Sequence, residues 1–522
     1  MSPVIPTAPL DLDENERPKA RTKLRLYAIL AALYLSLFIA ALDQTIVSIA
    51  IPTITSDLHS AQGYVWIGGA YLLANAATGP IWAKCSDIWG RKPLLLAAVA
   101  LFTAASLLAA LSVSMTMLIA GRALQGVASG GMMQLVTIVI SDLFSVRERS
   151  LYQGYVGFVW ALAGSSGPLL GGAFTQFDWR WSFWINLPIG GLTFLLLALF
   201  LDVHNPRTRL GEGIKAIDWI GTVSILAVAV FPKVICLIVV GGLMIGFFVF
   251  GEHRLARYPI IPLAMFKNGS NNATFLVAFA HSMVLIGIEY YLPLFLQSVL
   301  QASPLKSGLL MLPLIGTMAI MEILTGVVIH RTGRYQEILW VGAALMTLGT
   351  GLYVTFGPDT SVATIAGLEV LAAFGPALLF QGPTLSIQAT VRQDETAAAT
   401  ACLGFLRNVA SALSVVLGGV VFQNSMEARQ GSLAAAGLDG SVRRALSGSQ
   451  AAANVGITQT ITDGVQRHVV LEAFAWSMRN MFIMYTCLSG VALVASAFIK
   501  HRKLIEEHTE TRTGIESLTK AG

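Results

Sequence analysis

Two apolar runs, Tyr64–Trp82 and Pro93–Leu111, flank the stretch AKCSDIWGRKPL at Ala83–Leu94. Each run is about the 20 residues a helix needs to cross a bilayer. Between them stand Lys84, Asp87, Arg91 and Lys92, with Gly90 free to take a sharp turn. A short basic loop between two spans belongs on the cytoplasmic side. Asp87 can accept hydrogen bonds from a neighbouring helix N-terminus or from the arginine that follows. The pattern recurs along the chain. Of 522 residues, 55% are hydrophobic and 12% charged, against about 25% charged in a soluble protein. The mean hydropathy is +0.68. The sequence therefore predicts an all-α polytopic membrane protein.

The net charge of +5 comes from short loops and does not suggest nucleic acid. Cys85, Cys236, Cys402 and Cys487 form no C-x-x-C pair, so no disulfide framework, metal site or cofactor is expected. The first apolar run is too long for a cleavable signal and should act as an anchor. Residues 1–24 read as a disordered cytoplasmic tail, with Arg17, Lys19, Arg21, Lys23 and Arg25 near the first span. Residues 25–202 hold six spans. Span 1 is Leu26–Ile51, span 4 Met115–Ile140 and span 5 Leu151–Phe174; the segment WRWSFWINLPIG from Trp179 opens span 6. Residues 203–271 form a linker. Its apolar part, Ala216–Phe250, lies between basic flanks, so it crosses twice or not at all; a hairpin of two extra spans is expected. Residues 272–500 hold six more spans, numbered 9 to 14. Span 10 is Ser307–Ile329, span 13 Ala397–Gln423 and span 14 Asn480–Ile499. A long polar outer loop covers 424–478, and 501–522 is a second cytoplasmic tail. With both termini inside, the sequons at Asn268 and Asn272 face the cytoplasm and should stay unmodified.

The halves overlay at an offset of about 246 residues. Ile119-Ala-Gly121 falls on Ile365-Ala-Gly367, Leu170-Gly-Gly172 on Leu417-Gly-Gly419, and Asp43 on Glu289. Such repeats are common in transporters, with the substrate site at their interface.

A charge inside a span marks a functional site by default. Asp43 in span 1 and Arg122 in span 4 fall at similar depth, about 24 Å up from one face and about 9 Å below the other in a core about 30 Å thick. They can pair directly or through Gln125. A proton on Asp43 would then release Arg122; a static brace between the two spans is the alternative. Glu289, as the repeat partner of Asp43, is the second candidate proton site. Glu322, Glu369, His281 and Arg407 also lie within spans, and Arg407 could pair with Glu369 or Glu289. Gln44, Trp160, Phe158, Tyr290, Tyr291 and Phe405 are candidates to line a cavity, with ordinary packing or lipid contact as the alternative. Gly164, Gly167, Pro168, Gly171 and Gly172 give span 5 a flat, kinked face, and Gly126, Gly130 and Gly131 allow close contact in span 4. No Walker-type loop or catalytic cluster occurs, which speaks against ATP as the energy source and against an enzyme.

The loop at Asp87, Gly90, Arg91 and Lys92 resembles the pattern G-x-x-x-D-x-x-G-R-K of the major facilitator superfamily, with Ala83 at the first glycine. Arg122-Ala-Leu-Gln125-Gly126 resembles R-x-x-Q-G of its proton-coupled exporters. Gly164 to Gly172 resembles the antiporter motif G-x-x-x-G-P-x-x-G-G, and Arg407 in GFLRNVAS matches an arginine common in its 14-helix branch. The chain looks like that drug:proton antiporter branch, of the fungal toxin and multidrug efflux type. The resemblance implies two pseudo-symmetric six-helix bundles plus two central helices. It implies export of small apolar organic molecules against protons, by alternating access. A plasma-membrane monomer is expected, with a vacuolar or vesicle membrane as the alternative. Other cargo in the same fold (basic amino acids or a siderophore) and a non-transporting receptor or scaffold remain as other readings.

Overall fold

The computed structural model describes residues 23–58, 63–203, 206, 208–209, 211–213, 263–392, 395–451, 454–502 and 504. The expected hairpin at 216–250, the basic residues Arg207, Lys215, Arg254 and Arg257, and most of both tails lie outside the described residues. The described residues contain helices and no strand. The first half comprises α1 (Lys23–Asp57), α2 (Gly63–Trp89), α3 (Arg91–Ala110), α4 (Met115–Leu143), α5 (Val146–Phe177), α6 (Trp181–Trp184) and α7 (Asn186–Phe200). The second comprises α8 (Gly269–Ser298), α9 (Pro304–Leu310), α10 (Leu312–Thr332), α11 (Gln336–Leu352), α12 (Val362–Thr390), α13 (Thr396–Ala428), α14 (Gln430–Ala435), α15 (Gly440–Ala445) and α16 (Gly464–Ser496). Eleven segments of the described residues are long and apolar enough to span a membrane. The 27-residue α2 is not one of the eleven, but it packs along the spanning helix α4.

Local chemistry sets the boundaries. Ser145 and Glu148 form a reciprocal capping box at the start of α5. Pro313, which has no N–H to donate, follows the break between α9 and α10, so span 10 is two helices rather than one. The loop expected over 424–478 is shorter than that. α13 runs on to Ala428, and α16 starts at Gly464 behind an Asp463 cap whose side chain accepts from Val465 N at 2.8 Å. Its first turns carry exposed Arg467, His468 and Glu472, with His468 and Glu472 3.3 Å apart. A helix that continues past the apolar slab keeps its period but loses its hydropathy, so it reads as loop. The stretch between is also structured: Leu433, Leu446 and Ala451 are fully buried against the second half's core.

Each half has its own core. In the first, α2 and α3 pack on α4, and α1 packs on α5; in the second, α8 packs on α13 and α16, and α11 on α12. One end of the molecule gathers the start of α1 and the end of α16. Arg25 Nε donates to Phe200 O at 3.3 Å, Gln336 Nε2 to Ile499 O at 2.6 Å, and Lys500 N to Ser270 Oγ at 2.9 Å. At this termini end the halves are tied together. Arg147 donates to His330 O and Arg331 O, each at 2.6 Å; Ser150 Oγ donates to Gly326 O at 3.1 Å; Arg149 Nη1 donates to Gln388 Oε1 at 3.2 Å.

Glycine lets α4 lie almost on α2. A Cβ on Gly126 would strike Tyr71 O and come within 2.9 Å of Ala74 Cβ; on Gly131 it would come within 2.8 Å of the Trp82 ring. Gly126→Val should therefore destabilise by about 1–3 kcal/mol through overpacking. Gly367→Ala, with nothing within 4 Å of the new Cβ, should be neutral or stabilise by up to about 1 kcal/mol. Thermal unfolding in detergent checks both.

Candidate functional site

Asp43 lies on α1 with no solvent exposure, and Arg122 and Gln125, one turn apart on α4, face it. Arg122 Nη1 donates to Asp43 Oδ2 at 2.5 Å and to Gln125 Oε1 at 2.8 Å. Gln125 Nε2 donates to Asp43 Oδ1 at 3.0 Å and to Ser106 Oγ, on α3, at 2.8 Å. Asn186 at the start of α7 closes the ring, donating to the same Asp43 Oδ1 at 2.8 Å. All three partners of the carboxylate are donors. The Arg122 guanidinium also donates to Ile67 O at 3.1 Å and stacks over Tyr71, 4.4 Å from the ring centre. Tyr71 extends the network, donating to Ala40 O and to Ser129 Oγ, and Asn75 donates to Ser129 as well. One buried polar cluster thus joins α1, α2, α3, α4 and α7. Asp43, Arg122 and Gln125 were readable as polar residues in apolar runs. Asn186, Ser106, Tyr71, Asn75 and Ser129 were missed. Asn75 and Asn186 had the same signal, an amide inside a span.

A second cluster holds the turn between α2 and α3. Gly90 has φ +93°, the region that favours glycine. Arg91 is buried; its Nη1 donates to Asp87 Oδ1 and, at 2.7 Å, to Ser86 Oγ, and its Nε donates to Asp142 Oδ2 on α4 at 2.8 Å. Lys92 Nζ donates to Ala198 O on α7 at 2.8 Å. Asp142 was not anticipated; it stands just inside the far end of α4, where a carboxylate looks like a loop flank.

On α5, Gly167 lies against Thr45 of α1, whose hydroxyl donates to Ala163 O at 3.1 Å. Gly171 is buried, whereas a Cβ on Gly164 or Gly172 would meet nothing within 4 Å. Pro168 falls within the continuous span of α5.

The second half assembles no matching ion pair among the described residues. Glu289 on α8 is half-buried. Arg407 on α13 donates to Phe380 O at 2.7 Å, with its guanidinium 5.4 Å from that ring, rather than to Glu289 or Glu369. Glu369 is fully buried on α12, and His281 Nε2 lies 3.0 Å from Pro376 O. Tyr290 and Phe158 are 59% and 44% exposed. Tyr291 donates to Val415 O at 2.5 Å. Gln44 is half-buried beside the network, Trp160 packs on the first half's core, and Phe405 packs beside Cys402 and Leu403.

Residues 33–415 match the family model for the Major Facilitator Superfamily. The chain is 40% identical to the MFS-type transporter ppz2 of Metarhizium majus, over 97% of this chain and 90% of that protein. It is 40% identical to the efflux pump dotC of Dothistroma septosporum, over 94% and 87%. It is 36% identical to the efflux pump FUS6 of Gibberella fujikuroi, over 80% and 79%. Among solved structures it resembles in fold the human organic anion transporter MFSD10 (TETRAN), with TM-score 0.61 and 16% identity over 91% of this chain and 99% of that one. It likewise resembles the proton:xylose symporter XylE, with TM-score 0.60 and 14% identity over 96% and 100%. The helical architecture, the family match and these relatives lead to one conclusion: the chain belongs to the major facilitator superfamily, and it is a multi-pass membrane transporter of the fungal efflux type, not an enzyme.

Proposed function

We propose that the chain is a proton-coupled exporter of small, largely apolar organic molecules, such as secondary-metabolite toxins or drugs. The observation that carries this reading is the sealed Asp43–Arg122–Gln125–Asn186 ring. A charge pair without solvent exposure joins four helices of one half, α1, α3, α4 and α7. A proton on Asp43 would cancel the charge that holds Arg122, and the released guanidinium would have to find other acceptors. The packing of α1 against α4 would shift with it, which links protonation to rocking of the halves. Gln44, Trp160, Tyr290, Phe405 and Arg407 are the candidate cargo contacts, with Glu289 as a second proton site. The aromatic side chains suit an apolar or cationic ligand, and relatives named efflux pumps favour outward transport. Basic Arg147, Arg331, Arg334, Arg392 and Arg502 near the termini end support a cytoplasmic position for that end, with the protein a monomer in the plasma membrane. The clusters at Asp87–Lys92 and Gly164–Gly172 would guide the motion.

The test is efflux of a fluorescent lipophilic cation from energised cells expressing the wild type or Glu289→Gln, with and without a protonophore. Wild-type efflux should collapse with the protonophore, and Glu289→Gln should lower it. Efflux indifferent to the protonophore removes proton coupling. No efflux from protein present at the cell surface argues for narrower cargo.

A further inference from the structure

The seam between α5 and α10 carries an acid that neither half's hydrogen bonds account for. Glu322 sits in the middle of α10, 3% exposed, and its Oε2 has no hydrogen-bond partner among the described residues. It crosses to the other half and lies on Gly157 of α5, where any Cβ would collide with that oxygen. Gly154, one turn before, lies against the Glu322 backbone carbonyl, and Gly326 lies against Ser150 O. Three glycines thus make a slot with room for one carboxyl group between the halves. Gln381 on α12 donates to the Glu322 carbonyl at 2.7 Å and leaves the carboxyl itself unmet.

The charged surroundings are sparse. Among the described residues Glu322 makes no ion pair; Glu289 on α8 and Arg407 on α13 act on it electrostatically through space. α5 faces it with glycine, and its Arg147 and Arg149 lie further along at the termini end, engaged with His330, Arg331 and Gln388. α12 offers Gln381 nearby, and its Glu369 lies about three turns before that residue, towards the other end. Arg407 has an unpartnered buried Nε of its own. Glu322 and Arg407 thus each keep one buried polar atom without a hydrogen-bond partner, and no ion pair joins them among the described residues.

We propose that Glu322 is a proton-binding residue of the α5–α10 seam: the seam shuts over the protonated acid and parts when the acid ionises. An ionised carboxylate without a partner is costly to hold between packed helices, whereas the neutral acid is tolerated. Once the seam parts, the O–H bond breaks, the proton passes to water on the termini side, and Arg407 stays charged and can approach the carboxylate. A proton that loads with the termini end shut and leaves when it opens moves towards the termini side. This assignment rests on the proton-coupled reading above and adds a coupling site in the second half.

Spin labels at Leu24→Cys and Arg334→Cys, both on exposed side chains at the termini end, report the seam. Cys85, Cys236, Cys402 and Cys487 are first replaced by serine. Electron–electron distances in nanodiscs, from about pH 5 to about pH 9, should lengthen with rising pH in the otherwise wild-type protein. Glu322→Gln should keep the short distance throughout. A Glu322→Gln protein that still lengthens with the same midpoint overturns the proposal. Should that variant not fold, Glu322→Asp must move the midpoint, and an unmoved midpoint is equally fatal. Protonophore-sensitive efflux with an unchanged Glu322→Gln profile removes Glu322 alone. Protonophore-insensitive efflux with a flattened profile removes the export coupling and keeps Glu322 as the seam's proton site.

Discussion

Asp43→Asn should abolish coupled efflux and lower stability, and pairing it with Arg122→Gln should restore stability without restoring efflux. Asparagine keeps the shape of the side chain, so its amide oxygen can still accept from Arg122 or Asn186. It removes the charge that balances a guanidinium only 1% exposed. Breaking one partner of a buried ion pair costs about 3–5 kcal/mol, because the other is left uncompensated. Arg122→Gln should cost a similar amount for the mirrored reason, and it also gives up the bond to Ile67 O and the stack on Tyr71. The double variant has no orphaned charge and should recover most of the loss, as buried pairs replaced together often do. Thermal unfolding in detergent gives the stability cycle, and efflux from energised cells gives transport. A brace needs only a well-packed neutral pair; a coupling site needs a group that titrates. If the double variant transports as well as it folds, the ring is a brace and the proton pathway lies elsewhere.

Most of this ring was legible because membrane burial makes polar residues conspicuous. Asp43, Arg122 and Gln125 each interrupt a long apolar run, and helix rise alone puts the first two at one depth. The spacing of Arg122 and Gln125 puts both on one face. Asn186 was not read, since the tryptophans around it explained WRWSFWINLPIG as an interface segment. Hydropathy fails at ends for a related reason. It averages over faces, so the exposed charges of α16 masked a helix that starts at Gly464. The repeat aligns Asp43 with Glu289, yet the first is sealed in an ion pair and the second is half-buried without one. Duplication carries the fold across the halves but not the partners, because partners come from other helices. The slot around Glu322 was beyond reach for that reason too. Gly154 and Gly157 gain meaning only once the register of α5 on α10 is known.

Arg91→Ala should be among the most destabilising single changes in the chain, at about 3–5 kcal/mol. Its guanidinium is 2% exposed and bridges Asp87 of α2 and Asp142 of α4, with Ser86 as a third acceptor. Removal leaves two carboxylates facing each other with the intervening cation gone, so repulsion adds to lost pairing. Lysine brings one charge on a flexible stem and no planar fork. It can meet one carboxylate well but not both, so Arg91→Lys should recover only part of the loss. Gly90→Ala tests the backbone instead. With φ at +93° and ψ at 157°, a Cβ there should cost about 1–3 kcal/mol and leave the ion cluster in place. Thermal unfolding should therefore rank Arg91→Ala below Arg91→Lys and Arg91→Lys below Gly90→Ala. Adding Asp142→Asn to Arg91→Ala should raise stability again, since it removes the like-charge contact. An Arg91→Ala protein as stable as the wild type would mean that water readily replaces the arginine. The turn would then be held by the Gly90 conformation and the Lys92–Ala198 bond, not by charge bridging α2 and α4.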